Sequence, residues 1–249
     1  MAPPIQVSRR RLLVAGVATV GAGGGVVYGA SKLAESDEDD GTGKPDTPSF
    51  HQSSATSFGV DLTGNPIVGS PDATLELLYW SEYQCPFCKR FEEETLPTLV
   101  EQDVQSGRVR IVLLEMPYMG DDSMTAAVAD RCVWEQVRSE SPGRYWRWRS
   151  TMYANQEPKN SGWASKESIL ELTAGVEGVD SDALATCLDE RRSEFESHVD
   201  AERQAAGEFG FRGTPSFVFG NKETGKAGKL VGAQPYENFE QAMQQLTES

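Results

Sequence analysis

Two thiols three positions apart, set where a strand-like run gives way to a helix-like one, constrain this chain more than any other feature. They lie in Tyr83-Gln84-Cys85-Pro86-Phe87-Cys88-Lys89. The preceding run, Thr74 to Trp80, is short, apolar and aromatic, as a buried strand should be. After it, Phe87, Phe91, Leu96, Leu99, Val100 and Val104 recur at helical spacing. Cys85 is therefore expected at the N-cap of a helix, with Pro86 at the first helical position, where a missing N–H removes no intrahelical bond. Unpaired N–H groups and the positive end of the helix dipole favour a thiolate there, so Cys85 reads as the attacking or leaving sulfur and Cys88 as the resolving one. Half a zinc site has the same spacing, but zinc would want a second close pair and the sequence has none. An inert disulfide is the other reading, although so short a loop removes little entropy from the unfolded chain.

The 249 residues divide unevenly. Residues 1–34 carry Ser8-Arg9-Arg10-Arg11-Leu12-Leu13 and then an uncharged Val, Ala and Gly run to Ala30, a basic region followed by an apolar one. This resembles a twin-arginine export signal, with a plain signal-anchor as the alternative. The stretch is nearly the ~20 residues a spanning helix needs, and Tyr28 spoils a small-x-small cleavage site near Ala30. The expectation is an uncleaved N-terminal membrane anchor, with the bulk of the chain outside. Residues 35–57 are acidic, then rich in Gly, Thr, Pro and Ser, and read as a disordered linker. The net charge of −15 argues against nucleic-acid binding, which calls for a basic surface.

A folded unit is expected over 58–249. Arg108 to Glu115 reads as a second strand, making a β-α-β unit with a parallel pair, and Pro97 should interrupt the connecting helix. From about 121 to 207 the pattern turns helical, with starts at Ser165 and Asp180 and an aromatic block around Trp146 and Trp148 that reads as core. Gly213-Thr214-Pro215 then leads into an apolar strand, where a proline suits an edge or an unusual peptide bond. Lys229 to Ala233 is a last strand, and Tyr236, Phe239, Met243 and Leu246 mark a terminal helix.

That order of elements resembles the thioredoxin fold, an α/β architecture of β-α-β and β-β-α halves. Cys85-Pro86-Phe87-Cys88 and Gly213-Thr214-Pro215 match its redox motif and its distant cis-proline loop. The helical insertion between the halves, with Ser81 to Phe91, is similar to the DsbA-type thiol:disulfide oxidoreductases. The resemblance implies a cis Pro215 beside the disulfide and a Thr214 backbone that pairs with an extended substrate. It implies exchange with the thiols and disulfides of exported proteins, a membrane redox partner that resets Cys85–Cys88, and no metal or organic cofactor.

Departures from the family pattern matter too. Phe87 stands where strong oxidants carry histidine, and it cannot donate a hydrogen bond. Tyr79 stands six residues before Cys85, where the family often buries an acid. Glu82 is then the nearest carboxylate, read either as a proton relay or as a solvated or salt-bridged residue. A mild oxidase is expected, with a reductase, an isomerase or a soft-metal (copper) handling protein as alternatives. An exported chain meets an oxidising compartment, so Cys132 and Cys187 are expected to form a structural disulfide between inserted helices, the alternative being two separately buried thiols. His51, placed in the linker, and His198, in a charged helix, lack the setting of a catalytic base.

Overall fold

The computed structural model describes residues 47–248. The expected signal or anchor over 1–34 and most of the expected linker lie outside them. In chain order come the short strands β1 (Phe50–His51), β2 (Thr56–Ser57), β3 (Val60–Asp61) and β4 (Ile67–Val68), and then β5 (Leu75–Ser81). Helices α1 (Pro86–Glu94) and α2 (Leu96–Leu99) and a π-helical turn (Val100–Val104) lead to β6 (Val109–Glu115). Five helices follow: α3 (Asp121–Val137), α4 (Gly143–Ala154), α5 (Lys166–Ala174), α6 (Ser181–Glu190) and α7 (Arg192–Glu208). β7 (Ser216–Asn221), β8 (Ala227–Val231) and α8 (Tyr236–Thr247) complete the chain.

The main sheet has the order β1-β4-β6-β5-β7-β8, with β5 and β6 parallel and every other pair antiparallel. β5 lies between β6 and β7, which explains why every residue of Leu75–Ser81 is buried. Alternate side chains on a strand face opposite sides of the sheet. Leu75, Leu77 and Tyr79 enter the larger core with Phe91, Trp134 and Trp148. Leu78 and Trp80 enter a smaller one with Val112, Ala206, Phe211 and Val218. The helix after the thiols breaks at Thr95, two residues before Pro97, whose ring then occupies the first turn of α2. Ser165 caps α5 by accepting from the Ser168 N–H, and Asp180 caps α6 by accepting from Asp182 and Ala183.

Two expectations change. The ordered region begins before residue 58, because Phe50 and His51 pair with Val68 and Ile67 at the edge of the main sheet. The Phe50 ring packs against Trp134, Tyr145 and Trp146, which is apolar burial that a two-residue strand inside a polar stretch does not announce. His51 accordingly belongs to a strand and not to a tether, with its Nδ1 2.9 Å from the Gly69 carbonyl. Pro215 takes the second of its two expected forms, as the resemblance implies: β8 lies outside β7, so β7 is no edge strand, and the Thr214–Pro215 peptide bond is cis.

Candidate active site

Cys85 is the N-cap of α1 in extended conformation, with Pro86 at the start of the helix. Its N–H donates to the Glu82 carbonyl at 3.0 Å, and its own carbonyl accepts from the Cys88 N–H at 3.0 Å, so a tight turn presents the sulfur. Both thiols are buried and unpaired. The Cys85 thiol is held well below the ordinary thiol range, at about 6. The hydrogen bond from the Cys88 thiol is the main cause; the Thr214 side chain and the N–H groups of Cys88 and Phe87 add to it, while burial opposes it. The helix terminus therefore contributes as the sequence suggests, but the second sulfur contributes more. Cys88 is pushed the other way, first by burial and then by its bond to Cys85. A polarised pair results, with one sulfur ready to be an anion and the other holding its proton.

Chain topology brings the distant loop onto this pair. The Cys85 Sγ donates to the Thr214 carbonyl at 3.3 Å, and Pro215 follows through the cis bond. The Gly232 N–H donates to the Pro215 carbonyl at 2.8 Å and the Ser216 hydroxyl to the Gly213 carbonyl at 2.6 Å, which fixes the loop from both sides. Phe87 is half exposed, with the Arg90 guanidinium 5.1 Å from its ring centroid. Cys132 and Cys187 lie away from this pair; they join α3 to α6 as a disulfide.

Glu82 is neither solvated nor salt-bridged; it is 1% exposed. One carboxylate oxygen accepts from the Gln84 N–H and the other from the Tyr118 N–H, both at 2.9 Å. Burial raises its pKa despite these bonds. Glu82 thus fastens the loop before Cys85 to the loop that carries Tyr118, a half-exposed aromatic whose hydroxyl lies close to Gly213. Gln156 adds a second tie by donating to the Cys85 carbonyl at 3.1 Å.

Sequence reasoning missed the charged cluster behind the thiols. Arg149 of α4 is fully buried and donates to Glu92 (2.8 and 3.1 Å), Ser81 (2.9 Å), Glu115 (3.0 Å) and Asp130 (3.3 Å). Its guanidinium lies 5.2 to 5.6 Å from the ring centroids of Tyr79, Tyr83 and Tyr153. Arg131 extends the cluster from Asp130 (2.6 Å) to Glu202 (2.8 Å). Burial, with Asp130 close by, raises Glu115 to about 8. No regular spacing marks these residues in the sequence, because apart from the adjacent Asp130 and Arg131 the partners lie 19 to 71 positions apart on other elements. His198, half-buried, sits 3.5 Å from Glu202 and not at the thiols.

Among the described residues no group of three or more His, Cys, Asp or Glu side chains is placed to hold a metal ion, and no helix is long and apolar enough to cross a membrane.

Comparison with known proteins agrees with this geometry. The family model described as thioredoxin matches residues 62–244. Disulfide bond formation protein D of Bacillus subtilis is 23% identical over 168 residues, covering 68% of this chain and 73% of that protein. A probable disulfide bond formation protein D of Bacillus cereus is 24% identical over 105 residues, and the chain spans under half of its length, 47%. Among solved structures, oxidised BdbD from Bacillus subtilis aligns with a TM-score of 0.62 at 20% identity, covering 73% of this chain and 92% of that one. Wolbachia pipientis alpha-DsbA1 aligns with a TM-score of 0.63 at 17% identity, covering 75% and 92%. The thioredoxin match extends over most of the chain, from before the first thiol to the terminal helix, so the chain belongs to the thioredoxin family.

Proposed function

We propose that this protein is a DsbA-like thiol:disulfide oxidoreductase that works outside the cytoplasm, exchanging disulfides with exported proteins through Cys85 and Cys88 as a mild oxidase. The observation that carries the reading is the polarised pair: a Cys85 thiol at about 6 beside a Cys88 thiol pushed up. Two relatives named for disulfide bond formation support the reaction class. The arginine-led, apolar N-terminal run supports export, with a retained anchor holding the enzyme at the membrane.

In the oxidising direction a substrate thiolate attacks the Cys85 sulfur of the disulfide. A substrate–Cys85 bond forms, the Cys85–Cys88 bond breaks, and the electron pair leaves on Cys88, which takes a proton. A second substrate thiolate then attacks the substrate sulfur, and Cys85 departs as a thiolate. Its low pKa makes it a good leaving group. The substrate loses two electrons, and a redox partner at the membrane accepts them when the pair is reoxidised. The Thr214 backbone lines up the substrate as an added strand. Cys132–Cys187 serves a structural role in the insertion.

The test is oxidation of a reduced two-cysteine peptide by the oxidised protein. Cys85→Ser is expected to abolish turnover, and Cys88→Ala to accumulate mixed disulfides with exported proteins. Peptide oxidation that survives Cys85→Ser, or stoichiometric copper on the reduced protein without any exchange, would overturn the proposal.

A further inference from the structure

Three consecutive residues ending at the reactive sulfur are bonded to one loop of the helical insertion. The Gln156 side-chain amide donates to the Tyr83 carbonyl and, at 3.1 Å, to the Cys85 carbonyl. Between them, the Gln84 side-chain oxygen accepts the Asn160 N–H at 2.7 Å. One turn further on, the Lys89 ammonium donates to the Ala154 carbonyl at 3.2 Å. The loop lies between α4 and α5 and is anchored in turn, because the Gln156 N–H donates to the Tyr153 carbonyl at 3.2 Å and the Tyr153 ring stacks on that of Tyr83, centroids 4.9 Å apart. Gln156 sits two residues past the end of α4 and 71 positions from Cys85.

The Cys85 carbonyl is a sensitive place to hold. It accepts the Cys88 N–H at 3.0 Å and the Lys89 N–H at 3.2 Å, the bonds that open α1. Its direction follows the ψ angle of Cys85, 117° in the extended N-cap conformation. An N-cap residue in that conformation presents its side chain to the N–H groups of the second and third helical positions. Here those positions are Phe87 and Cys88, whose N–H groups help to hold the sulfur as an anion. Pinning the carbonyl from outside the helix therefore keeps the sulfur over those donors. A donor on the carbonyl oxygen also offsets a negative dipole end close to the anion.

We infer that Gln156 is a positioning residue for thiol exchange, its amide tying the insertion to the Cys85 turn and keeping that turn in its reactive geometry. The inference rests on reading the protein as a thiol:disulfide oxidoreductase, and it gives the inserted helices a part in the reaction. Gln156 acts through the Cys85 backbone and not on the sulfur itself. It aids the attack of that sulfur and its departure alike, since both draw on the anion. The Asn160 and Lys89 bonds keep the loop seated.

The test follows alkylation of Cys85 by iodoacetamide across pH in the reduced full-length protein, read by mass spectrometry. Gln156→Met keeps the side-chain length and removes the donor; Gln156→Ala removes both. In each, the Cys85 midpoint is expected to move up. Below the midpoint the alkylation rate should fall about 3- to 10-fold, the scale of one hydrogen bond's net contribution, and the rates should converge at alkaline pH. Oxidation of a two-cysteine peptide should slow by a similar factor. A lower urea midpoint with an unchanged pH profile would show a packing role only and overturn the inference, as would an unchanged profile in fully stable variants. Should neither variant fold, NMR of the unsubstituted protein decides: the two Gln156 side-chain amide protons are expected at separate, shifted positions that titrate with Cys85. Random-coil positions that ignore the titration would contradict the role. Failure of the unsubstituted protein to exchange disulfides would remove the oxidoreductase reading, whereas an unchanged Gln156→Met in a protein that does exchange them removes the positioning role alone.

Discussion

The sulfur of Cys85 donates a hydrogen bond to the carbonyl oxygen of Thr214 at 3.3 Å, across 129 positions of sequence. In the proposed exchange a substrate sulfur bound to Cys85 would lie beside the backbone segment that leads into β7.

The redox potential follows from the two thiol pKa values. A low Cys85 pKa stabilises the reduced form and makes the disulfide oxidising, but the Phe87 side chain adds no hydrogen bond to the one its N–H supplies. Equilibration with glutathione is expected to place Cys85–Cys88 between thioredoxin at about −270 mV and the strongest oxidants at about −120 mV. A value at or above the upper end would show that another group stabilises the thiolate.

Glu82 is expected to matter through the loops it joins. Glu82→Ala removes the acceptors of the Gln84 and Tyr118 N–H groups, which lie in a buried setting. The expected loss is about 1–3 kcal/mol in urea unfolding, with slower peptide oxidation because both loops flank Cys85. Full stability with normal turnover would mean that water replaces the carboxylate.

Arg149 neutralises several buried acids at once, so removing it should be costly. Arg149→Met is expected to destabilise by about 3–5 kcal/mol, the scale for leaving buried charges unpaired. Thermal or denaturant unfolding of the reduced and oxidised forms checks this.

Glu115 gives a pH signature of opposite sign to an ordinary carboxylate. Its folded pKa, about 8, lies above the roughly 4.3 of an unfolded glutamate, so the native state binds the extra proton between those values. Stability is then lost as pH rises through that window. Glu115→Gln should flatten the decline between pH ~5 and ~8. An unchanged slope would show that Glu115 ionises normally.

The architecture was legible because its signals are local. The run from Leu75 to Ser81, the N-cap Cys85, Pro97 and the caps Ser165 and Asp180 each act on near neighbours, and the structure places each where its chemistry directs. The strand Phe50–His51 was not legible, because its warrant is a tertiary one: Phe50 packs against three aromatics of α3 and α4. The charge cluster escaped for the same reason. Arg149 and Glu92 are 57 positions apart and Arg131 and Glu202 71, and on sequence alone each reads as a solvated helix charge. Glu82 was noticed, but its acceptor role depends on the Tyr118 loop, 36 positions on.

The second disulfide should stabilise the insertion without taking part in exchange. Cys132 and Cys187 close a loop spanning 55 positions, for which constraint of the unfolded chain predicts about 2–4 kcal/mol. Cys132→Ala/Cys187→Ala is expected to lose that much in denaturant while keeping peptide oxidation at low temperature.

The most direct test is the pH dependence of Cys85 alkylation in the reduced protein, followed by mass spectrometry so that Cys88 is scored separately. A midpoint near 6 is predicted for Cys85, with Cys88 unreactive through neutral pH. A Cys85 midpoint near the ~8.5 of a free thiol would contradict the account, because neither the attack nor the departure of that sulfur would then be favoured.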